Sequence, residues 1–275
     1  MRYSDQHIHC TASFDAKGAI SDMVRAAAEH GAGMVCFTDH MDMASELTGH
    51  TRSSYEKRLP DFLRRAAEYA LDPTEGIEVR LGMELGAPLQ YLPDAERAAA
   101  TPGLDLVLGS IHNLPDMTDF YFLHYKSEEQ CRRLNHLYLA ELRRMAELDC
   151  FDVLAHIGYT SRYMAAQGIR ERICVNDEYR EELTALLRRL IERGKGLELN
   201  LSGYRGGGND TYPGADVLRL YRELGGELIT VGSDGHIPAQ ASDRIAAGFE
   251  LLRECGFRYA AEYRARQPEM VSLTE

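Results

Sequence analysis

The chain has 275 residues, a hydrophobic fraction of 44% and a formal net charge of −12 at pH 7. That hydrophobic fraction is sufficient for a large core, and the acidic balance disfavours nucleic-acid partners, because phosphate backbones attract basic surfaces. No apolar run is long enough to span a membrane, and the N-terminus lacks the basic and apolar regions of a signal peptide.

The scattered cysteines and the uniform composition along the chain predict a single cytoplasmic domain whose cysteines are reduced. The cysteines are scattered without a C-x-x-C pair, and most lie in apolar patterns, so we expect reduced core residues. No linker or internal repeat divides the sequence, so we expect a single domain over residues 1–275, and we expect a monomer or a homodimer. Because the chain is acidic, a metal ion or local arginines would have to attract any anionic substrate.

Apolar periodicity predicts strands that alternate with helices along the chain. The predicted strands cover residues 2–9, 34–38, 79–83, 104–111, 151–155, 197–201 and 228–232. The predicted helices cover residues 16–30, 53–70, 127–149, 177–194, 214–224 and 240–254. Gly31 would end the first helix, and Gly194 or Gly196 would end the helix before the sixth strand. Seven successive β-then-α units predict an α/β protein with a parallel sheet, which at this length closes naturally into a TIM-like barrel.

The first predicted strand ends in the sequence Asp5-Gln6-His7-Ile8-His9. Because strand side chains alternate with a period of two, His7 and His9 project from one face and could share a metal ion. This pair alone is a weak signal, since two histidines at this spacing occur by chance in many proteins.

Histidines and carboxylates also follow the other predicted strands, at the edge where such barrels place their active sites. These residues are His40, Glu84, His112, His156, Asp234 and His236. Each of them alone could be an ordinary structural residue, but their common placement favours one shared site. Imidazole and carboxylate ligands that converge from different strands suit zinc, manganese or iron.

The remaining histidines and the glycine run are not expected to bind metal. His30 lies in the last turn of a predicted helix, where its positive form meets the helix dipole, and His136 lies within a helix. His50 and His124 fall in or near loops over the barrel mouth, where they could touch substrate. Gly206–Gly208 does not match a nucleotide-binding fingerprint and is expected to form a flexible loop over the site.

With these residues, the chain resembles the PHP (polymerase and histidinol phosphatase) superfamily, and within it the stand-alone histidinol-phosphate phosphatases. The similar motifs are His7-Ile-His9, Phe37-Thr-Asp-His40, Gly82-Met-Glu84, Gly109-Ser-Ile-His112, Ala155-His156, Gly232-Ser-Asp-Gly-His236, and Leu197-Glu-Leu-Asn-Leu-Ser-Gly-Tyr-Arg205 followed by Tyr212-Pro213. The last of these is more particular to this branch, and the similarity covers nearly the whole chain.

The resemblance implies a distorted (β/α)7 barrel that holds three divalent metal ions, either Zn, Mn or Fe. Carried over by position, the implied ligands are His7, His9, Glu84 and Asp234 for one ion, Glu84, His112 and His156 for a second, and Asp15, His40 and His236 for the third. Relatives often have histidine where Asp15 stands. A carboxylate there would shift the third ion from zinc towards manganese or iron, unless Asp15 only caps the following helix.

The implied activity is a metal-dependent phosphomonoesterase that hydrolyses L-histidinol phosphate directly with water, in histidine biosynthesis. Glu84 and Asp234 would act at the metal ions, and His40 and His236 would also face the substrate. Arg162 and Arg205, each a few residues beyond a strand end, could clamp the phosphoryl group or could be surface cations.

Other functions remain open in the sequence. The loop Asn113–Phe120 departs from the expected family sequence, so the substrate could be another small phosphate ester, such as a nucleotide or a sugar phosphate. An amidohydrolase also begins with His-x-His, but the fourth predicted strand lacks the bridging lysine that such enzymes commonly carry. A non-catalytic scaffold is disfavoured because no ligand position has been replaced by a residue that cannot ligate.

Overall fold

The structure is a computed structural model of the chain and describes residues 2–43, 76–205 and 210–274. Seven strands pair in parallel and in chain order, which confirms the α/β class and the distorted (β/α)7 TIM-like barrel. The strands are β1 (Tyr3–Ile8), β2 (Ala32–Phe37), β3 (Glu78–Gly86), β4 (Leu106–Ser110), β5 (Val153–Leu154), β6 (Gly196–Asn200) and β7 (Ile229–Gly232). The helix predicted at 53–70, His50 and the glycine run 206–208 lie outside the described residues.

The helices that follow the strands confirm most of the predicted ones, with shorter ends. They are α1 (Ile20–Glu29), α2 (Leu92–Ala99), α3 (Glu128–Met145), α4 (Ser161–Ala166), α5 (Arg180–Glu192), α6 (Ala215–Glu223) and α7 (Ile245–Glu254). Gly31 and Gly194 have φ angles of 88° and 64°, so Gly194, not Gly196, ends α5. The sequence did not predict α2 or α4, because α2 buries mainly alanines and α4 is too short to show a period.

The barrel closes where β7 returns to β1. An isolated parallel bridge joins Ile8 to Gly235, and the backbone N–H of Ser233 donates to Asp5 Oδ1 at 2.9 Å. A Cβ atom on Gly232 would lie only 2.3 Å from the Cβ of His7, so glycine is required for this close approach. The closure therefore brings the end of β7 against the end of β1.

A C-terminal hairpin that the sequence did not predict packs against the barrel interior. It consists of β8 (Tyr259–Arg264) and β9 (Gln267–Ser272). Ala261 and Tyr263 of β8 form a buried cluster with apolar side chains of β2, β4 and β5. Gln6 of β1 fixes the hairpin, since its side chain accepts from the N–H of Tyr263 at 2.9 Å and donates to the carbonyl of Ala261.

The turn of this hairpin has no local sequence signal. Ala265 and Arg266 both have positive φ angles, 47° and 64°, at positions where glycine or asparagine is usual. Tertiary bonds hold this turn instead: Asp105 accepts from the N–H of Ala265 at 2.9 Å, and Arg266 forms a two-pronged pair with Asp152 at 2.6 and 2.9 Å. Because the turn depends on distant residues, apolar periodicity and turn composition could not predict the hairpin.

The cysteines agree with the expectation of reduced core residues. All are free thiols, and all are buried except Cys174, which is partly buried. Among the described helices, none combines the length and the apolar composition that crossing a membrane requires.

Replacing Tyr263 with alanine should destabilise the fold by about 3–5 kcal/mol, because a fully buried aromatic ring would leave a cavity beneath the barrel. Tyr259→Ala on the same strand is the control, since Tyr259 is 48% exposed. Urea unfolding of both variants measures the difference. Equal midpoints for the two variants would show that the hairpin does not support the barrel.

Candidate metal centre

The histidines and carboxylates predicted as metal ligands come together at one end of the barrel. His7, His9, His40, Glu84, His156 and Asp234 are buried, His112 and His236 are partly buried, and Asp15 is exposed. Asp15 comes from the loop between β1 and α1, and the others lie in or directly after β1, β2, β3, β4, β5 and β7. Successive strands of the barrel therefore deliver donor atoms to one place, as expected for the carboxyl ends of parallel strands.

The first group of donor atoms consists of His7, His9, Glu84 and Asp234. The Nε2 atoms of His7 and His9 are 3.0 Å apart, which confirms that the two imidazoles share a face. His7 Nε2 lies 3.3 Å from Glu84 Oε2, and His9 Nε2 lies 3.4 Å from Asp234 Oδ1. The donor atoms of His7, His9 and Glu84 all lie within 4.8 Å of one another, close enough to bind one cation.

The second group consists of Glu84, His112 and His156. Glu84 Oε1 lies 2.8 Å from His156 Nε2 and 3.1 Å from His112 Nε2. The other carboxylate oxygen of Glu84, Oε2, faces the first group and also lies 2.9 Å from His40 Nδ1. One carboxylate thus has an oxygen directed at each of two donor groups, as a bridging ligand would.

The third group consists of Asp15, His40 and His236. Asp15 Oδ2 lies 3.2 Å from His236 Nε2 and 3.6 Å from His40 Nε2, and the two imidazole nitrogens are 3.5 Å apart. The Asp15 carboxylate therefore lies where the sequence placed it, beside both predicted partners. It is the most exposed member of the three groups.

The atoms of these groups fit metal ions better than they fit one another. Glu84 Oε2 and His40 Nδ1 are both buried and lie 2.9 Å apart, but at angles unsuited to a hydrogen bond, and neither atom has another hydrogen-bond partner within the described part of the chain. His7 and His9 direct nitrogen atoms at each other, which leaves at least one lone pair unmatched unless a proton or a cation lies between them. The donor set of imidazoles and carboxylates is the set that zinc, manganese and iron prefer.

The buried carboxylates of the cluster are stabilised by the positive charge that surrounds them. Burial by itself would raise the pKa of Glu84, but positive charge on His40, His112 and His7 holds that pKa well below its usual value. Asp234 is affected in the same way, with burial opposed mainly by His7. Both carboxylates are therefore ionised at neutral pH, and ionised carboxylates in a buried site require a compensating positive charge.

Glu198 of β6 holds two of the candidate ligands, and sequence reasoning missed it. Its Oε1 lies 2.6 Å from His7 Nδ1, and its Oε2 accepts from the backbone N–H of His156 at 2.8 Å. The carboxylate thereby directs Nε2 of His7 towards the first group and fixes His156, whose φ of 27° is unusual for a residue other than glycine. An acid within the apolar strand Leu197-Glu-Leu-Asn was the available signal.

Other buried polar groups orient the remaining imidazoles. Asp42 Oδ1 lies 2.8 Å from His112 Nδ1, and Ser13 Oγ lies 3.1 Å from His9 Nδ1. Asp39 accepts from the N–H of Cys10 and from the hydroxyl of Ser13, so it anchors the loop after β1. Burial raises the pKa of Asp39, and its oxygens are occupied by these donors.

A cavity of about 630 Å³ opens above the cluster. Arg162 lines this cavity and donates from Nη2 to Ser202 Oγ at 2.6 Å. Arg205 is used differently, since Nη1 and Nη2 donate to the carbonyl oxygens of Ser233 and Asp234, both at 2.7 Å. Contact of either arginine with a phosphoryl group stays a prediction.

The other histidines lie apart from the three groups. His30 Nδ1 contacts the carbonyl of Ala241 at the end of α1, and His136 is paired with Glu178 and Glu182. His124 is exposed and is not among the described residues that line the cavity.

Comparison with known proteins adds a family and several relatives. The model of the PHP domain matches residues 5–202. The histidinol-phosphatase of Lactococcus lactis is 25% identical over 96% of this chain and 95% of its own length. A protein of Deinococcus radiodurans named probable histidinol-phosphatase is 26% identical over 96% of this chain and 98% of its own length.

A solved structure has the same fold over almost its whole length. The crystal structure of histidinol phosphate phosphatase from Lactococcus lactis, complexed with zinc, L-histidinol and phosphate, superposes with a TM-score of 0.80 at 24% identity. The similarity covers 98% of this chain and 99% of that one. Its zinc is a property of that protein, and its fold matches the barrel described above.

Replacing Glu198 with glutamine should weaken metal binding by about 10- to 100-fold, because a neutral amide holds His7 less firmly than a carboxylate does. Chelator competition with Zn²⁺ or Mn²⁺ measures this affinity directly. Glu192→Gln, at the exposed end of α5, is the matched control and should bind as the unchanged protein does. If both variants bind metal with the same affinity, Glu198 does not support the metal ligands.

Proposed function

This chain belongs to the PHP domain family, and we propose that it is a metal-dependent phosphomonoesterase that hydrolyses L-histidinol phosphate to L-histidinol and phosphate. The observation that carries the proposal is the convergence of imidazoles on the buried Glu84 beneath a cavity lined by Arg162. The substrate is supported by relatives named histidinol-phosphatase that match this chain from end to end. The reaction would serve histidine biosynthesis.

We propose that the three donor groups hold three divalent ions. His7, His9, Glu84 and Asp234 would hold the first, Glu84, His112 and His156 the second, and Asp15, His40 and His236 the third. When bound, such ions supply Lewis acidity that lowers the pKa of water and neutralises the charge of a phosphoryl group. Zinc is supported by the Lactococcus lactis structure, while the carboxylate of Asp15 favours manganese or iron in the third position.

Arg162 is well placed to bind the phosphoryl group. It borders the cavity beside Asp234, with Nη2 3.8 Å from Asp234 Oδ2. Its Nε is buried and has no hydrogen-bond partner within the described residues. Its guanidinium also lies 5.4–5.9 Å from the ring centres of Tyr159, Tyr163 and Tyr212, which hold it in place.

Arg205 fits a positioning role. Asp234 has a φ of 55°, an uncommon conformation for a residue that carries a side chain, and the surrounding structure must stabilise it. The two bonds from Arg205 to the carbonyls of Ser233 and Asp234 supply that support. Arg205 would then act on the phosphoryl group through the placement of Asp234, and direct contact would require it to give up one of these bonds.

The cavity size agrees with a small ester. About 630 Å³ lies within the range of small-molecule sites and is suited to a substrate with one phosphate and one ring. Nucleotides and sugar phosphates are of similar size, so the alternative of another small phosphate ester must be decided by experiment.

A phosphate-release screen tests the proposed function. Protein loaded with Zn²⁺ or Mn²⁺ should hydrolyse L-histidinol phosphate with a kcat/KM at least about tenfold above that for mononucleotides and sugar phosphates. Glu84→Gln should lose both bound metal and activity, because an amide cannot bridge two cations as a carboxylate does. Glu78→Gln is the control on the same strand, where Glu78 pairs with Arg2, and should keep both. If the protein prefers a nucleotide or a sugar phosphate, the proposed substrate is wrong. If Glu84→Gln keeps its full metal content, Glu84 does not bridge two metal ions.

Removing the guanidinium of Arg162 should lower kcat/KM by an amount equivalent to about 2–4 kcal/mol of transition-state stabilisation. Arg162→Lys should restore only part of the loss, since an ammonium cannot form the paired bonds of a guanidinium. Metal content should stay normal, and Arg170→Ala, at a nearby exposed position, should have little effect. Unchanged kcat/KM in Arg162→Ala with full metal content would show that Arg162 does not bind the phosphoryl group.

A further inference from the structure

A chain of side-chain hydrogen bonds runs along the end of β6. Ser202 Oγ donates to Asn200 Oδ1 at 2.5 Å, and Asn200 Nδ2 donates to Glu198 Oε2 at 3.1 Å. Glu198 and Asn200 are two residues apart on the strand, so their side chains share a face, and Ser202 follows in the 3₁₀ turn Leu201–Tyr204. All three residues are buried, so each polar group depends on its protein partner.

Arg162 donates into one end of this chain. Its Nη2 lies 2.6 Å from Ser202 Oγ. The contact of Arg162 with Asp234 is longer, at 3.8 Å, and Nε of Arg162 has no hydrogen-bond partner within the described residues. Because the hydroxyl of Ser202 donates to Asn200, its lone pairs are free to accept from Arg162. Ser202 therefore provides the short bond that fixes the direction of the guanidinium.

The other end of the chain is the carboxylate that supports two candidate metal ligands. Glu198 lies 2.6 Å from His7 Nδ1 and accepts from the backbone N–H of His156 at 2.8 Å. The amide of Asn200 is fixed in orientation, because its Oδ1 also accepts from the N–H of Ser202 at 3.0 Å and leaves Nδ2 to face Glu198. Each group from Arg162 onwards donates towards Glu198, an arrangement in which the bonds strengthen one another.

Asn200 also reaches Arg162 by a second route. Its backbone N–H and carbonyl pair with the carbonyl and N–H of Tyr212 at 2.9 and 3.0 Å. The ring centre of Tyr212 lies 5.4 Å from the guanidinium carbon of Arg162. Side-chain and backbone bonds of one buried asparagine thus hold two of the groups that contact Arg162.

We propose that Ser202 and Asn200 are positioning residues for phosphate binding, which hold the guanidinium of Arg162 at a fixed place relative to His7 and His156. This inference rests on the proposed function. A phosphoryl group bound by both an arginine and metal ions must meet both at set distances, and a small misplacement of one partner lowers the rate strongly. The pattern Glu198-x-Asn200-x-Ser202 provides that fixed distance, because it connects both partners through one strand end.

Ser202→Ala removes the acceptor of Arg162 but preserves the turn, since the N–H at position 202 can still donate to Asn200. The kcat/KM for L-histidinol phosphate should fall about 10- to 100-fold, the range for one hydrogen bond to a charged group. Calorimetry should show weaker binding of inorganic phosphate to the metal-loaded protein. The affinity for Zn²⁺, measured by chelator competition, should stay within about twofold, because Glu198 keeps its bonds to His7 and His156.

The same change in the Arg162→Ala variant tests whether Ser202 acts through Arg162. In that background Ser202→Ala should lower kcat/KM by less than about twofold, because the side chain that it positions is already absent. A serine that only stabilised the end of β6 would cost the same in both backgrounds. Ser110→Ala is the matched control and should behave as the unchanged protein does. Ser110 ends β4, and its buried hydroxyl has no hydrogen-bond partner within the described residues.

Asn200→Ala tests the connection to the metal ligands. It removes the bond to Glu198 as well as the acceptor of Ser202, so it should weaken the binding of Zn²⁺ and of phosphate together. Unchanged Zn²⁺ affinity in folded Asn200→Ala would overturn the connection to His7 and His156. If circular dichroism shows that Asn200→Ala does not fold, the Ser202 variants still decide the proposal, because they preserve the turn.

Equal losses from Ser202→Ala with and without Arg162, or no loss in either background, would overturn the inference while the proposed function stands. A fall in metal content that parallels the fall in activity of Ser202→Ala would also overturn it. If the unchanged protein releases phosphate from no ester in the screen, the proposed function fails first.

Discussion

The carboxylate of Glu84 is completely buried, and the residues around it are arranged to offset the cost of that burial. An isolated ionised carboxylate in a protein interior is strongly unfavourable, so it needs positive charge and hydrogen-bond donors close by. Four imidazoles approach its oxygens within 3.3 Å, from His7, His40, His112 and His156. They come from four different strand ends on both sides of β3, and the curvature of the barrel directs those ends at one carboxylate. The cluster therefore depends on the barrel fold that brings these strand ends together.

The cluster keeps its geometry through a second layer of buried acids. Glu198, Asp42 and Asp39 bond to imidazoles or to the loops that carry them, and Asp5 ties β1 to Ser233 after β7. Asp5 and Glu198 in this layer also help to close the barrel, because they join β1 to the ends of the chain's last two barrel strands, β7 and β6. His156 and Asp234 have positive φ angles, which are unfavourable for residues that carry a side chain. Glu198 bonds to the backbone of His156 and Arg205 to that of Asp234, so these bonds stabilise the strained conformation of two candidate metal ligands.

The charge of the cavity differs from that of the chain as a whole. The chain carries a net charge of −12, yet Arg162 lines the cavity beside the candidate metal ligands. An acidic protein surface repels a phosphate dianion, so its attraction to this cavity would depend on the arginine and on bound cations.

The sequence alone determined the barrel class, most strands and helices, and the residues that line its carboxyl end. It could do so because a period of two and a period of 3.6 are local properties, and because a residue at a strand end is placed by the strand itself. The spacing of His7 and His9 was sufficient to put both rings on one face. Only the tertiary structure decided the rest, because the interactions involved join distant segments. The hairpin β8–β9 is held by Gln6 and Asp152. Glu198 is recognised as a supporting residue only because the fold places it beside His7. The roles of Arg205 and Arg162 differ only because their guanidinium groups contact different atoms. A local pattern cannot report such contacts, since they form only once the chain has closed on itself.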